Sequence, residues 1–517
     1  MSCWLMRWWH RGVRHRGVCH RGGWGASTVL VVLALPMLGC WSVVDTQVPQ
    51  ADPIDIPVRW REGERADVRH AVRIPAINPS HQNMTQHLAS VAWWRIFNDE
   101  TLNTLIARAL AQNWDVHTAW LRVEEAQALT RALRRDRKPN VAFNMAGERT
   151  RRTTTNSNPG ASVLRSDFST DVGLSWQLDW FNQKAQAIQG REAEEKVAEA
   201  EAQGVVLATV VEVVKSYYTY RGLQERLRIA VQNTELLKTA VGLIQARYAV
   251  GEVSEFDVVR GQGAYQSSRA RVPELMGALR ASAQGLSVLL GDAPGALEDV
   301  LRDEVALPTL SFVLDLGQPA DVLTQRPDIA RAEAQVLVNL AEHGVAVADL
   351  YPKLRLDALL GLDAARVSDV FTGRSRVWSV GTFLNWPLLD QRTRGALVEA
   401  ARHRLSASLL AYEALVLRAL ATVESTIATY AQARETCVRY REVVTSQQRA
   451  HELALELYEV GEIDYLSLID AERELVSSQD EWALARIDAL VLLANLYGEL
   501  GGGWRAVAAT GTAESGL

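Results

Sequence analysis

The sequence predicts a mainly α-helical protein that also contributes strands to a membrane β-barrel, four strands from each protomer. Two helical regions, from about Gln183 to Tyr248 and from about Arg394 to Tyr458, are longer than one compact domain can cover. Four short segments alternate apolar with polar or small residues, as a strand with one apolar face requires. Both patterns occur twice in the same order, which predicts two structural repeats, residues 93–310 and 311–504.

The first 39 residues have the composition of a bacterial secretion signal. Arginines without any acidic residue precede an apolar run from Thr28 to Leu38. A run of about eleven apolar residues is too short to span a bilayer as a helix. The segment Met37 to Cys40 resembles a lipobox, in which the cysteine is acylated and becomes the new N-terminus. We therefore expect a lipoprotein signal, residues 1–39, and a covalent lipid on Cys40. The alternative is a plain signal with an incidental cysteine.

Residues 40–92 are predicted to be a lipidated tether, because they are rich in proline, aspartate and histidine and lack helical periodicity. Trp41 rather than an aspartate follows the cysteine, and in lipoproteins this resembles the pattern that is sorted to the outer membrane. Removal of the signal would leave Cys437 as the remaining unmodified cysteine. No disulfide within the chain is then expected.

The first repeat is predicted to open with one helix from about Asp99 to Asp136. Two alternating segments follow it, with apolar positions at Val141, Phe143 and Met145 and then at Val172, Leu174, Trp176, Leu178 and Trp180. The stretch Arg149 to Ser169 between them is rich in Thr, Ser, Asn and Arg, and is predicted to be a loop. After the long helix, Gly251 marks a turn, and a second helix runs from about Ser254 to Leu290.

The second repeat is predicted to follow the same plan, with a helix from about Ala320 to Leu350. Its alternating segments have apolar or small positions at Leu354, Leu356, Ala358, Leu360 and Leu362, and at Trp378, Val380, Thr382, Leu384 and Trp386. Gly461 marks the turn after the long helix, and the last helix reaches Leu500. Residues 505–517 are predicted to be a C-terminal tail.

One chain cannot complete either pattern. Four strands cannot close a barrel, and the open edges of a sheet are not tolerated in lipid. Very long helices need coiled-coil partners. Copies that share one barrel of strands and one barrel of helices would satisfy both needs, and three copies of four strands give twelve. Outside the signal no run approaches eighteen apolar residues, which excludes a membrane-spanning helix on that criterion.

Composition excludes several classes of function. The net charge of -6 argues against nucleic acid as a partner, because such proteins usually carry a basic face. Gly261-Gln262-Gly263 lacks the third glycine and the preceding strand of a dinucleotide loop. The ten histidines form no ligand-spaced pair on a helix, so no metal is expected. The sequence thus predicts neither an enzyme nor a cofactor beyond the lipid.

Several short motifs, in order and at matching spacing, resemble those of the TolC-like outer membrane factors. They are Trp93-Trp94 with Asn98-Asp99, Asn113-Trp114-Asp115, Ser175 to Phe181, Gln325 to Ile329, Asn385 to Asp390, and Gly501 to Trp504. The likeness covers residues 93–504. Within the family, the chain resembles the lipoprotein ducts of multidrug efflux pumps, the group that includes OprM and NodT.

The resemblance implies a homotrimer with a shared twelve-stranded barrel in the outer membrane lipid of a Gram-negative bacterium. Long helices would continue the barrel as a trimeric α-barrel tunnel, with an equatorial region, through the periplasm. The implied partners are a periplasmic adaptor protein and an inner-membrane pump of the RND or ABC type. Two alternatives remain open: a duct for type I protein secretion, and a periplasmic coiled coil without a pore.

The turns after the two long helices are predicted to form the ends of helical hairpins. Gly251 and Gly461 allow the chain to reverse there, and the resemblance places both tips at the contact with the adaptor or pump. Tyr248 and Tyr458 resemble residues that pack between neighbouring hairpins, although ordinary core aromatics explain them equally well.

The resemblance also places a periplasmic gate at the second tip. Leu466 and Asp470 occupy positions that ring the closed entrance, and Asp257 matches an acidic position in the first tip. Three leucines would block solutes and three aspartates would favour cations. The alternative for Asp470 is a solvated charge on a helix face.

Other polar and aromatic residues are expected to have structural roles. Arg326-Pro327-Asp328 suits the start of a helix. Trp176 and Trp378 are typical of a membrane–water interface, whereas Trp180 and Trp386 favour packing where barrel meets tunnel. For the loop arginines, Arg149, Arg151, Arg152 and Arg165, the sequence favours a solvated loop over contact with lipopolysaccharide phosphates.

Overall fold

The computed structural model describes residues 57, 59–61, 92–154, 161–308 and 319–502. All of them belong to one compact unit, Val48–Leu517. The signal sequence, Cys40, most of the tether and the tail lie outside the described residues, so the predictions made for those segments remain predictions.

The described elements alternate helices with two pairs of strands. The helices are α1 Glu100–Gln112, α2 Trp114–Asp136, α3 Gln183–Ala249, α4 Glu255–Leu289, α5 Pro319–Gln325, α6 Pro327–Ala348, α7 Gln391–Glu459 and α8 Tyr465–Glu499. The strands are β1 Asn140–Thr154, β2 Ala161–Leu178, β3 Lys353–Ala364 and β4 Arg376–Asn385. The fold class, mainly α with four strands per protomer, is confirmed.

The prediction of one helix from Asp99 to Asp136 is wrong, because the chain is broken at Asn113. This residue is extended, with φ -65° and ψ 126°. Its side-chain oxygen accepts hydrogen bonds from the backbone N–H of Asp115 and of Val116, which caps α2. Its amide nitrogen donates to the carbonyl of Leu289 at 2.9 Å, which fixes the break against the end of α4.

The single helix from Ala320 to Leu350 is also wrong, since Arg326 separates α5 from α6. Arg326 is extended, as the residue before a proline tends to be. Pro327 then starts α6, and Asp328 lies in its first turn. The guanidinium of Arg326 donates to both Asp328 and Glu499, and so ties the start of α6 to the end of α8.

The four strands form one antiparallel sheet in the order β1-β2-β3-β4. The predicted loop from Arg149 to Ser169 is largely wrong, because β1 continues to Thr154 and β2 resumes at Ala161. Backbone pairing continues through these polar residues, since it depends on main-chain groups and not on side-chain polarity. Trp180 and Trp386 lie just beyond the ends of β2 and β4 and not within them.

One described helix, α7, contains an 18-residue window with a mean hydropathy of 1.4. By length and composition it could cross a membrane, and only 22% of that window is buried. The absence of eighteen consecutive apolar residues therefore does not by itself exclude a membrane-spanning helix here, because mean hydropathy allows some polar residues within the window. The same helix forms a 69-residue rod.

The two long helices fold into hairpins, α3 with α4 and α7 with α8. At 1.5 Å per residue, the 67 residues of α3 extend about 100 Å. The main core lies midway along them, where α1 and the ends of α4 and α8 pack against their middles. Its fully buried members include Leu105, Tyr217, Leu286, Val423 and Leu490. The strands and the hairpin tips thus extend from opposite sides of this core.

Candidate functional site

The register of the sheet places all of its alternating apolar positions on one face. Phe143 pairs with Val172, Val172 with Leu360, and Leu360 with Trp378. Neighbouring rows repeat the pattern. These side chains are not covered by the protein: Phe143 is 70% exposed and Trp378 is 76% exposed. An apolar face of this extent, continuous across four strands, is suited to lipid.

The opposite face is polar. It carries the acidic residues of the strands, which are Glu148, Asp167, Asp171, Asp357 and Asp363. Asn144 donates to Asp171 at 3.0 Å, and Ser175 donates to Asp357 at 2.8 Å. A shallow cavity lies on this face. A sheet with one apolar and one polar face, in a closed barrel, separates lipid from an aqueous lumen.

The two hairpin tips have the same backbone geometry. Gly251 and Gly461 have φ of +80° and +81°, a region that favours glycine. Each donates to the tyrosine three residues before it, Tyr248 or Tyr458. The following residue donates to the carbonyl five positions before it, which completes a Schellman motif. The two turns therefore match one another in their individual hydrogen bonds.

Each tip is also capped at the start of its returning helix. Ser254 and Asp257 form a capping box on α4, in which both the backbone and the hydroxyl of Ser254 donate to the Asp257 carboxylate. Asp464 caps α8 by accepting from the backbone of Ser467 at 3.0 Å, and the pKa of Asp464 is lowered by its hydrogen bonds to Ser467. Asp257, expected at the gate, thus has its carboxylate engaged in a cap.

The other two residues expected at the gate, Leu466 and Asp470, lie on the first turns of α8. Leu466 is partly buried and Asp470 is exposed. The Asp470 carboxylate lies 3.9 Å from the guanidinium of Arg260 on α4 and 3.9 Å from that of Arg473. The structure therefore brings Asp470 into contact with the other hairpin of the same protomer. It does not bring Asp257 into that contact.

The two tip tyrosines have different surroundings. Tyr458 is 4% exposed and packs on Tyr465, and the guanidinium of Arg247 lies 4.6 Å from its ring centre. Tyr248 is 47% exposed. Tyr458 therefore joins the two hairpins within one protomer, whereas Tyr248 is available to a neighbouring molecule.

A buried carboxyl at the second tip was missed by the sequence analysis. Glu472 is 6% exposed, and burial raises its pKa to about 7. Within the described structure its Oε1 atom has no hydrogen-bond partner, nor do the hydroxyls of Tyr458 and Tyr465. The signal was available, because Tyr465, Leu468, Ile469 and Glu472 follow the spacing of one helix face.

We expect Glu472→Gln to stabilise the protein at pH 8 and to have little effect at pH 5. A pKa of Glu472 that is raised in the folded state above its ordinary value of 4.5 means that the folded state holds the proton more tightly. The contribution of Glu472 to stability is thus most favourable below its pKa in the unfolded chain, falls as the pH rises to about 7, and is constant at higher pH. At pH 8 the buried, ionised Glu472 lowers the free energy of unfolding by about 3 kcal/mol.

Thermal unfolding at both pH values would test this expectation. The exposed Glu474, two residues away, supplies the control Glu474→Gln. A gain in unfolding temperature for Glu472→Gln that is the same at pH 5 and pH 8 would contradict it.

No group of three or more His, Cys, Asp or Glu residues that could hold a metal ion occurs in the part of the chain that the structure describes. Cys437 is a free, buried thiol. The polar clusters near the tips are capping and ion-pair contacts.

Comparison with known proteins gives a consistent result. A family model described as "Outer membrane efflux protein" matches residues 105–292 and 319–502. Nodulation protein T of Rhizobium leguminosarum bv. trifolii is 29% identical over 81% of this chain and 90% of its own length. Toluene efflux pump outer membrane protein TtgF of Pseudomonas putida is 27% identical over 92% of this chain and 96% of its own.

The solved structures agree. The outer-membrane channel OprN superposes with a TM-score of 0.79 at 28% identity, and the match covers 89% of this chain and all of that one. A sheet with one apolar and one polar face, joined to long helical hairpins, defines a subunit of an outer-membrane channel. The chain belongs to the outer membrane efflux protein family, and its location is the outer membrane.

Proposed function

We propose that this chain is the outer-membrane duct of a tripartite efflux system, assembled as a homotrimer. Membership of the family gives the role in efflux. One observation carries the proposed architecture. A sheet with one apolar and one polar face continues along the chain into two long helical hairpins. Solutes would enter the tunnel at the hairpin tips and leave through the barrel.

The open edges of the sheet support the trimer. In the order β1-β2-β3-β4, the outer edges of β1 and β4 pair with no other described strand. Unpaired backbone groups cost several kcal/mol each in lipid, so these edges need partners. Pairing β4 of one protomer with β1 of the next closes a barrel, and three copies of four strands give the proposed twelve.

The alternative of a coiled-coil rod without a pore is contradicted by the sheet, since that hypothesis predicts no strand hairpins. A duct for protein secretion would share the same architecture. We propose efflux of drugs or other small solutes because relatives are named for efflux pumps, among them the toluene efflux protein TtgF.

The remaining partners are proposed on the same basis. The hairpin tips, with Gly251 and Gly461 at their turns, would meet a periplasmic adaptor, and an inner-membrane pump of the RND or ABC type would supply the energy. A covalent lipid on Cys40 would add an anchor in the inner leaflet, since each buried CH₂ contributes about 0.8 kcal/mol. Mass spectrometry of the mature N-terminal peptide tests the lipid directly.

Electrophoresis tests the assembly. Mild SDS gels of purified protein, with and without boiling, should show a trimer that shifts to a monomer on heating. A reconstituted sample should also conduct ions. A monomer before boiling, without conductance, would refute the proposed duct.

The gate is tested by Asp470→Ala and Leu466→Ala in planar bilayers. Loss of three carboxylates should lower the preference for cations, and loss of three leucine side chains should raise conductance. Asp470→Ala also removes the contact with Arg260 that joins the two hairpins, which favours opening.

A control at the same tip is Glu462→Gln, which changes an exposed carboxylate outside the proposed gate. Its currents should match those of the unmodified channel. Unchanged currents and selectivity in both gate variants would reject the assignment of Leu466 and Asp470.

A further inference from the structure

The charges of the sheet are segregated between its two faces. The described acidic side chains of the strands all lie on the polar face, with Lys353, Arg165 and Arg355. On the apolar face the described charged residues are three arginines: Arg149, Arg151 and Arg376. All three are exposed. A face suited to lipid therefore carries only positive charge.

The three arginines lie at one end of this face. Arg149 and Arg151 follow Val141, Phe143 and Met145 along β1, towards the connection to β2. Arg376 is the first residue of β4 and pairs with Leu362 near the end of β3, so it lies at the connection between those strands. The long helices join the sheet at its opposite end. Arg149 and Arg151 thus lie beyond the apolar residues of β1, and Arg376 lies at the outer edge of the apolar band, in the row of Leu362. All three are on the side away from the tunnel.

These arginines have no acidic partner in the part of the chain that the structure describes. Among the described residues, none of the three forms an ion pair or a side-chain hydrogen bond. Arg165, on the polar face in the row of Thr150, differs: its guanidinium donates to Asp167 at 2.8 Å. Two further exposed arginines, Arg366 and Arg374, lie in the connection between β3 and β4. Unpaired guanidinium groups beside lipid favour an anionic ligand from the membrane.

We propose that Arg149, Arg151 and Arg376 bind the phosphate groups of lipopolysaccharide in the outer leaflet. The proposal rests on the proposed function, which places the sheet in the outer membrane with its helices in the periplasm. The apolar band then meets acyl chains, and the arginines at its outer end meet headgroups. A guanidinium binds phosphate through two parallel hydrogen bonds, which an ammonium cannot match.

The assignment replaces the interpretation of Arg149 and Arg151 as parts of a solvated loop. In a loop their direction would be undefined. On β1 the period of two fixes both on the apolar face, at positions with the same parity as Phe143. Arg165 pairs with Thr150, which lies on the face of β1 opposite to Phe143, so Arg165 lies on the polar face towards the proposed lumen.

Lipid retention by the purified trimer tests the proposal. Native mass spectrometry would compare unmodified protein with the variant Arg149→Gln/Arg151→Gln/Arg376→Gln, each incubated with bisphosphorylated lipid A, with dephosphorylated lipid A, or with phosphatidylglycerol. The control is Arg165→Gln, on the other face of the sheet at the same end.

Unmodified protein and the control should retain bisphosphorylated lipid A most strongly. The triple variant should bind it about a hundredfold more weakly, since each of the three basic residues near an anionic surface contributes about 1 kcal/mol. A higher salt concentration should reduce the difference in lipid A binding between the unmodified protein and the triple variant. Equal retention by the triple variant, equal retention of dephosphorylated lipid A, or an equal preference for phosphatidylglycerol would overturn the proposal.

The same preparation separates this proposal from the proposed function. A heat-modifiable trimer that conducts ions but retains lipids without regard to phosphate would overturn the lipid site alone. A sample with neither trimer nor conductance would overturn both.

Discussion

Gly361→Ala is expected to prevent assembly of the membrane sheet. Gly361 lies in β3 and pairs with Asp171 in β2. A Cβ atom added there would lie 2.5 Å from the carbonyl oxygen of Thr170 and 2.6 Å from the Cβ of Asp171. Both are far below van der Waals contact, and the first is a backbone atom. One of the two strands must therefore move.

The consequence is large because this pairing joins the two halves of the sheet. Strands β1 and β2 form one hairpin and β3 and β4 form another, and the β2–β3 pairing is the only one between the two hairpins in the described sheet. Overpacking of a dense site typically costs about 1–3 kcal/mol, and separation of β2 from β3 would expose two further edges to lipid. We expect loss of the heat-modifiable trimer and of ion conductance.

Gly173→Ala is the matched control. Gly173 lies in β2 on the same polar face as Gly361, but a Cβ atom there would be 3.7 Å from its nearest neighbours, the side chains of Asn144 and Asp171. This variant should form trimers like the unmodified protein. If Gly361→Ala also assembles normally, the close approach at Asp171 does not constrain the sheet.

The features that sequence could predict are those set by local periodicity. The long helices are specified by apolar spacing along tens of residues, and the strands by alternation at Phe143 and Trp176. The hairpin turns are specified by Gly251 and Gly461, since few other residues adopt their positive φ. Each signal lies within a few neighbouring residues.

The errors arose where a distant contact decides the local conformation. Asn113 interrupts a helical pattern because its amide reaches the carbonyl of Leu289, more than 170 residues away. Arg326 does the same with Glu499 as its distant partner. The strand residues beyond Arg149 were predicted to be a loop because their side chains are polar, but their main chains continue the pairing of β1 with β2. Composition carries no record of such partners.

The candidate site shows the same division. The glycines and caps of the tips follow from sequence, but the contact between Asp470 and Arg260 depends on how α4 packs against α8. Glu472 shared the apolar spacing of its helix, yet a glutamate among apolar residues is usually assigned to the surface. Its burial is set by the packing of α8 against the other helices of the tip.

Asp480→Ala is expected to loosen the two hairpins of a protomer from one another. The Asp480 carboxylate on α8 accepts two hydrogen bonds from Arg226 on α3, at 2.7 and 3.1 Å, and another from Arg271 on α4. The carboxylate side chain is only 11% exposed and that of Arg226 only 18%. Removal of Asp480 would leave two guanidinium groups close together without their shared partner.

The free-energy cost of this change should be about 3–5 kcal/mol, the range for breaking a buried pair by removal of one partner. Hydrogen exchange of the amides around Arg226 and Asp480 would measure it as faster local opening. The control is Asp299→Ala, which removes an exposed partner of Arg302, with side chains 86% and 75% exposed. Its effect should be below about 1 kcal/mol. Another ion pair of low exposure, between Arg486 on α8 and Glu225 on α3, remains in this variant. Equal exchange in the two variants would therefore mean that the hairpins are held together by that pair and by apolar packing, without a measurable contribution from Asp480.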